Sequence, residues 1–180
     1  MEVIKTPLEG LLVIEPKVFK DHRGYFYESY NAEAFKQAGV DAVFVQDNQS
    51  LSQKGILRGL HFQAPPHAQG KLVRVIKGAV LDVVVDIRKN SPTYGQHFSI
   101  ELTEENFKMF WIPPGFAHGF VTLEDHTIFS YKCTDVYNKA AEGGLLWNDP
   151  ELGINWGIEQ PVLSEKDTLN PQLNNFNSPF

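Results

Sequence analysis

Only one cysteine, Cys133, occurs in the 180 residues, so no internal disulfide can form. That excludes a disulfide-stapled scaffold and a cysteine-rich zinc site. Long apolar runs are also missing. The N-terminus, Met1-Glu2-Val3-Ile4-Lys5-Thr6-Pro7, lacks the apolar core of a signal peptide. The most apolar stretch, Val80 to Ile87, is interrupted by Asp82 and Asp86 and is too short to span a bilayer. Positive charge is in deficit: Lys and Arg total 16 against 22 Asp and Glu, a net charge of -6. A general nucleic-acid surface would show the opposite balance, whereas a small anion needs only a few local cations. No GxGxxG follows a strand, and there is no Walker sequence or serine nucleophile elbow, which disfavours Rossmann-type hydride chemistry. The expectation is a cytoplasmic protein with neither membrane nor nucleic acid as partner.

What is present reads as strands. The length predicts a single domain over residues 1–180, enough to bury roughly 70% of the unfolded chain's surface. Strand signals fall at Leu11 to Ile14, Tyr25 to Tyr30, Val43 to Gln46, Ile56 to Gln63, Lys71 to Ile76, Val80 to Ile87, His97 to Leu102, Phe107 to Ile112, His118 to Leu123 and Thr127 to Thr134. Asn31 is placed to cap a short helix from Ala32 to Ala38, with Gly39 as its stop. Short strands separated by turn signals at about 8–12 residue spacing, without βαβ alternation, predict an all-β sandwich or barrel. Past Asp149 the chain turns to short helical pieces, and the polar end from Asn170 to Phe180 reads as loosely ordered.

Alternation along strands sorts the side chains that can do chemistry. Lys71 falls in line with Val73 and Val75, and Tyr131 with Phe129 and Cys133, which turns both toward apolar faces. An inward tyrosine is either a core residue bonded to backbone or a functional hydroxyl. His61, between Leu60 and Phe62, is equally compatible with a structural role. Strict alternation sets Arg58 and His61 on opposite faces; both reach one cavity only if the strand bulges, and Gly59 tolerates that. Pro113-Pro114-Gly115-Phe116-Ala117-His118 is a strand end, a turn and another histidine. His61, His67 and His118 raise the question of a bound Fe, Mn or Zn, but Gln63 follows His61 where a second histidine would be expected. Arg23, Arg58 and Lys166 are candidate anion ligands, although each taken singly reads as a solvated surface charge.

Taken in order, Asp21-His22-Arg23-Gly24, Gln46-Asp47-Asn48, Leu57-Arg58-Gly59-Leu60-His61-Phe62-Gln63, Gln69-Gly70-Lys71-Leu72-Val73-Arg74-Val75, Pro113 to Phe120, Asp149-Pro150 and Ser164-Glu165-Lys166-Asp167 closely resemble the dTDP-4-dehydrorhamnose 3,5-epimerase family. The resemblance implies a cupin jelly-roll double-sheet barrel with a few short helices, no metal and no cofactor. It implies inversion of C3 and C5 of dTDP-4-dehydro-6-deoxy-D-glucose, giving dTDP-4-dehydro-L-rhamnose, by proton abstraction beside the C4 ketone and reprotonation on the opposite face. In the roles it implies, His61 is the base, Asp167 its carboxylate partner, Lys71 the cation at O4 and Tyr131 the opposing acid. Substrate binding falls to Arg23, Glu28, Gln46, Asp47, Asn48, Arg58, His118, Glu142 and Lys166, with Arg23 and Glu28 reaching across a homodimer. Two positions depart from the family pattern: Gly70, where another small residue is commoner and where glycine is expected to loosen the approach to Lys71, and Gly157, where proline is common. The alternatives are an epimerase acting at C5 or C3 alone, a metal-dependent cupin oxygenase and a non-catalytic sugar-nucleotide binder.

Overall fold

Alternating side chains along short strands, broken by glycine and proline turns, give thirteen strands and one α-helix in the computed structural model, which describes residues 1–180. In chain order these are β1 (Glu2–Lys5), β2 (Leu12–Glu15), β3 (Phe19–Asp21), β4 (Gly24–Phe26), α1 (Ala32–Gln37), β5 (Gln46–Ser52), β6 (Leu57–Gln63), β7 (Lys71–Lys77), β8 (Ala79–Asp86), β9 (His97–Thr103), β10 (Met109–Ile112), β11 (Phe116–Thr122), β12 (Thr127–Cys133) and β13 (Glu142–Gly144). One sheet has the order β1-β2-β10-β7-β12-β5 and the other β13-β6-β11-β8-β9, with β3 and β4 forming a separate hairpin. All the paired strands run antiparallel. Two sheets facing each other around one interior make the jelly-roll double sheet. No helix is long and apolar enough to cross a membrane.

Three apolar layers hold this together. Between the sheets lie Val73 and Val75 of β7, Val80 and Val84 of β8, Phe110, Ile112, Phe116, Phe120 and Phe129. The outer face of the five-stranded sheet carries a second layer, including Leu57, Leu60, Phe62, Val83, Val85 and Val121, covered by Leu152 and Trp156. Because β8 is buried on both faces, its sequence reads as an almost continuous apolar run. The outer face of the six-stranded sheet packs Ile14, Leu72, Met109 and Trp111 against Phe35 of α1 and Val40. Asn31 caps α1 by accepting the Ala34 N–H at 3.2 Å.

Three expectations are corrected. The strand expected at Val43 to Gln46 begins only at Gln46 and continues through the polar Asp47-Asn48-Gln49-Ser50. Its pairing with β12, Cys133 opposite Gln46 through Thr127 opposite Ser52, outweighs its low strand propensity. Tyr25 to Tyr30 is extended only as far as Phe26. The C-terminal segment is not loose. Phe176 and Phe180 pack against Phe62, the Ser178 hydroxyl donates to the Ile87 carbonyl, and Asp149 accepts the Leu173 N–H at 2.6 Å. An outer sheet face that would otherwise meet water orders this polar-looking tail. Gly157 has φ +69, a conformation closed to proline.

At the end of β8, Asp86 is buried and bonded to the Arg88 guanidinium (2.7 and 2.9 Å) and the Ser91 and Thr93 hydroxyls (2.6 Å each). Burial works against its charge, but these donors and the Arg88 N–H pull its carboxyl down to about 2. A depressed carboxylate stabilises the fold above its unfolded pKa and loses that contribution as pH falls through the folded value. Urea unfolding between pH 7 and pH 2 should therefore show a wild-type advantage over Asp86→Asn of about 2 kcal/mol at neutral pH that shrinks below pH 4.

Candidate functional site

A cavity of about 540 Å³ opens between the two sheets, within the size range of small-molecule sites. Asn48, Arg58, His61, Lys71, His118, Tyr131, Lys166 and Asp167 line it, with Ile56, Leu57, Phe120, Val162 and Leu163 among the walls. The bulge foreseen at Gly59 brings Arg58 and His61 together. His118 of β11 faces His61, and Phe120 faces Arg58, so three steps on β6 match two on β11. Gly59 takes φ +136, and a β-carbon there would lie 2.5 Å from the Gly119 Cα. Only glycine permits that approach.

His61 Nε2 lies 2.6 Å from Asp167 Oδ1. An ionised carboxylate only accepts, so Nε2 carries the proton and Nδ1 is left with a lone pair. Asp167 stands on a 3-10 turn, Glu165–Thr168, capped by Ser164, not on either sheet. Burial alone would raise its carboxyl, but the bonds it makes with His61 and Ser164 hold it below the usual carboxylate range. The bond from His61 ties the turn that carries the carboxylate to β6.

The opposite sheet supplies the remaining chemistry. Lys71 and Cys133 are paired across β7 and β12, and Tyr131 lies two residues back on the same inward face. The Lys71 ammonium sits 6.0 Å from the centre of the Tyr131 ring. Burial lowers the Lys71 pKa, which the charges of Cys133, Asp82 and Glu142 partly oppose. Burial raises that of Tyr131, with Cys133 adding to the effect, so its phenol keeps its proton. Gly70 does not loosen the approach to Lys71 as expected: the Trp111 ring fills the space where a β-carbon would be, 2.6 Å away, and Thr134 Oγ1 accepts the Gly70 N–H at 2.8 Å.

Other predicted positions divide. His118 is buried, with Nε2 2.9 Å from Asp82 Oδ2. Burial pushes the imidazole down and the carboxyl up, and their mutual attraction opposes both shifts. Arg58 reaches Ser52 Oγ at 3.3 Å. Glu142 sits at the rim, ion-paired with Lys166 and accepting the Tyr137 hydroxyl at 2.9 Å. Gln46 bonds Asn48 at 3.1 Å and accepts the Tyr137 N–H at 2.9 Å. Asp47, on the alternate face of β5, pairs with Lys132 at 3.0 Å. Arg23 and Glu28 are not brought to the cavity: Arg23 pairs with Asp21 on the β3–β4 turn, and Glu28 accepts from Asn31 at 3.2 Å. Sequence reading missed Asp82 and Tyr137. Asp82 was within reach, since alternation with the inward Val80 and Val84 turns it to the cavity side; Tyr137 sits outside any strand pattern.

Comparison with known proteins agrees with the geometry. A family model described as dTDP-4-dehydrorhamnose 3,5-epimerase matches residues 5–175. The chain is 54% identical over 175 residues to the dTDP-4-dehydrorhamnose 3,5-epimerase of Salmonella typhimurium, covering 96% of each. Among solved structures it is similar to the Elizabethkingia anophelis epimerase (TM-score 0.92, 50% identity, 97% of both chains). It is also similar to a dTDP-6-deoxy-D-glucose-3,5-epimerase from Legionella pneumophila solved with dTDP-4-keto-L-rhamnose (TM-score 0.94, 48% identity, 98% of this chain and 94% of that one).

The contact between Gly59 and Gly119 generates a test. Gly59→Ala should destabilise the fold by about 2–4 kcal/mol, because φ and space both oppose a β-carbon. Thermal melts read the loss; a variant as stable as wild type would remove the steric account of the bulge.

Proposed function

The chain belongs to the dTDP-4-dehydrorhamnose 3,5-epimerase family, and on that premise we propose that it inverts C5 and C3 of dTDP-4-dehydro-6-deoxy-D-glucose with its own side chains as acid and base. One observation carries the reading: the His61–Asp167 pair comes from one side of the cavity and Lys71 and Tyr131 from the facing sheet. His61 Nδ1 takes the proton from the carbon beside the C4 ketone. The electron pair moves into the carbonyl, and negative charge gathers on O4. The Lys71 ammonium stabilises that enolate, which is worth most in a site screened from water. Asp167 stabilises the imidazolium formed on His61. Tyr131 delivers its proton to the opposite face of the same carbon, so the centre is inverted. Exchange with water returns the proton to Tyr131 and removes that on His61, and the cycle repeats at the second carbon.

Burial suits these assignments. A tyrosine held above its ordinary pKa stays protonated until a carbanion-like carbon accepts from it. Arg58 and Lys166 supply positive charge for the diphosphate, Gln46, Asp47 and Asn48 help hold the nucleotide, and His118 and Glu142 line the sugar end. The 180 residues act as one cupin unit. The proposal extends to a cytoplasmic homodimer in which Arg23 and Glu28 of a second copy complete the nucleotide site. The β3–β4 hairpin supports this, since it exposes Phe19 (54%), Tyr25 (57%) and Phe26 (67%) beside Arg23.

In deuterated water, turnover should place deuterium at both C3 and C5, read by mass spectrometry and NMR. Label at one carbon alone would reduce the enzyme to a single epimerase, and label at neither would overturn the reading. His61→Asn should slow exchange at both carbons by about 100-fold or more while dTDP still binds. Tyr131→Phe should slow net inversion more than the first exchange; equal losses would remove the tyrosine from the acid role. Lys71→Met should slow exchange at both carbons, by about 100-fold, because both abstractions use the same ketone.

A further inference from the structure

Gln63 is buried at the end of β6, one pleat beyond His61 on the same face. None of its hydrogen bonds goes to His61, Lys71, Tyr131 or Asp167. Nε2 donates to the carbonyls of His67 at 2.7 Å and Val136 at 3.2 Å, and Oε1 accepts the Asn138 N–H at 2.8 Å. The contacts at Val136 and Asn138 bracket Tyr137, which is 56% exposed. The Tyr137 hydroxyl donates to Glu142, which stands directly opposite Gln63 on β13 and is ion-paired with Lys166, the neighbour of Asp167.

We propose that Gln63 is a positioning residue for substrate binding: its amide clamps the chain on both sides of Tyr137, so that Tyr137, Glu142 and Lys166 present one fixed rim to the diphosphate and sugar of the substrate. The inference rests on the epimerase reading and adds a residue to it. The chemistry of the side chain accounts for its identity. A primary amide offers two donors and an acceptor in one plane, which serves two carbonyls and one N–H at once. A neutral imidazole has only one donor, and a carboxylate has none. Burial keeps water from competing for the three bonds, and replacing the amide leaves buried backbone groups unpaired. The position where the sequence departs from a metal-binding histidine is thus occupied by a group matched to the loop it holds.

The test is Gln63→Met and Gln63→Glu, each alone and combined with Tyr137→Ala. Kd for dTDP is measured by calorimetry, and KM and kcat by solvent deuterium exchange. Each single change should weaken dTDP binding and raise KM about tenfold while kcat stays within about twofold. With Tyr137→Ala already present, changing Gln63 should alter Kd by less than about twofold, because the clamp then has nothing to position. Unchanged Kd and KM, a fall in kcat with KM preserved, or a full Gln63 effect in the Tyr137→Ala background would each overturn the proposal. Gln63→Glu keeps the side chain's shape and the Asn138 bond, and decides the question if melting shows that Gln63→Met does not fold. A wild type that binds dTDP but exchanges no deuterium would fail the epimerase reading alone, since the dTDP affinities still judge the clamp.

Discussion

Two glycines on neighbouring strands, Gly59 and Gly119, approach so closely that neither has room for a β-carbon: one on Gly119 would lie 2.8 Å from the Arg58 carbonyl oxygen, and one on Gly59 would press on the Gly119 Cα. From that contact follows the extra residue on β6, and from it the arrangement of the cavity. Without the bulge, Arg58 and His61 would point to opposite sides of the sheet, since side chains alternate with a period of two. With it, Leu57, Leu60 and Phe62 all join the outer apolar layer while Arg58 and His61 turn inward. One steric allowance therefore sets where the His61 imidazole stands to meet the Asp167 carboxylate.

The interior so formed is unusual in what it buries. A lysine, two imidazoles and the carboxylates of Asp82 and Asp167 share a space walled by Phe120 and Phe129. Removing charges from water is costly unless each finds a partner, and most do here. Asp82 keeps one oxygen without a hydrogen bond, close enough to the Lys71 ammonium to influence its protonation. Burial keeps Tyr131 protonated, and it lowers the Lys71 pKa against the opposing pull of neighbouring negative charge. The net charge of -6 is thereby reconciled with a dianionic ligand: Arg58, Lys71 and Lys166 concentrate positive potential where the cavity needs it, while the acidic excess lies elsewhere.

Much of this was legible in the chain itself. Alternation located the strands from β6 to β12 with small errors at their ends, and by itself it turns Lys71 and Tyr131 inward. It failed at β5, where pairing with β12 imposes a strand on Asp47-Asn48-Gln49-Ser50, and at the C-terminus, where polar residues are ordered by the apolar face beneath them. The loosening expected at Gly70 from its departure from the family pattern failed as well, because nothing local announces that the Trp111 ring fills the space beside it. The ordered motifs carried the family and, through it, the partnership of His61 with Asp167.

Composition and periodicity, then, determined the class of fold, the exclusion of disulfide and nucleotide-loop chemistry, and which strand residues face inward, because these depend on one residue and its near neighbours. Only the tertiary structure decided how a 3-10 turn brings Asp167, 106 residues beyond His61, to 2.6 Å from the imidazole, that Gln63 bonds the chain on both sides of Tyr137, and that Arg23 pairs with Asp21 on its own hairpin. The first two contacts join segments distant in sequence. Their geometry is set by how two sheets, a bulge and a terminal turn pack, and no local pattern encodes that distance.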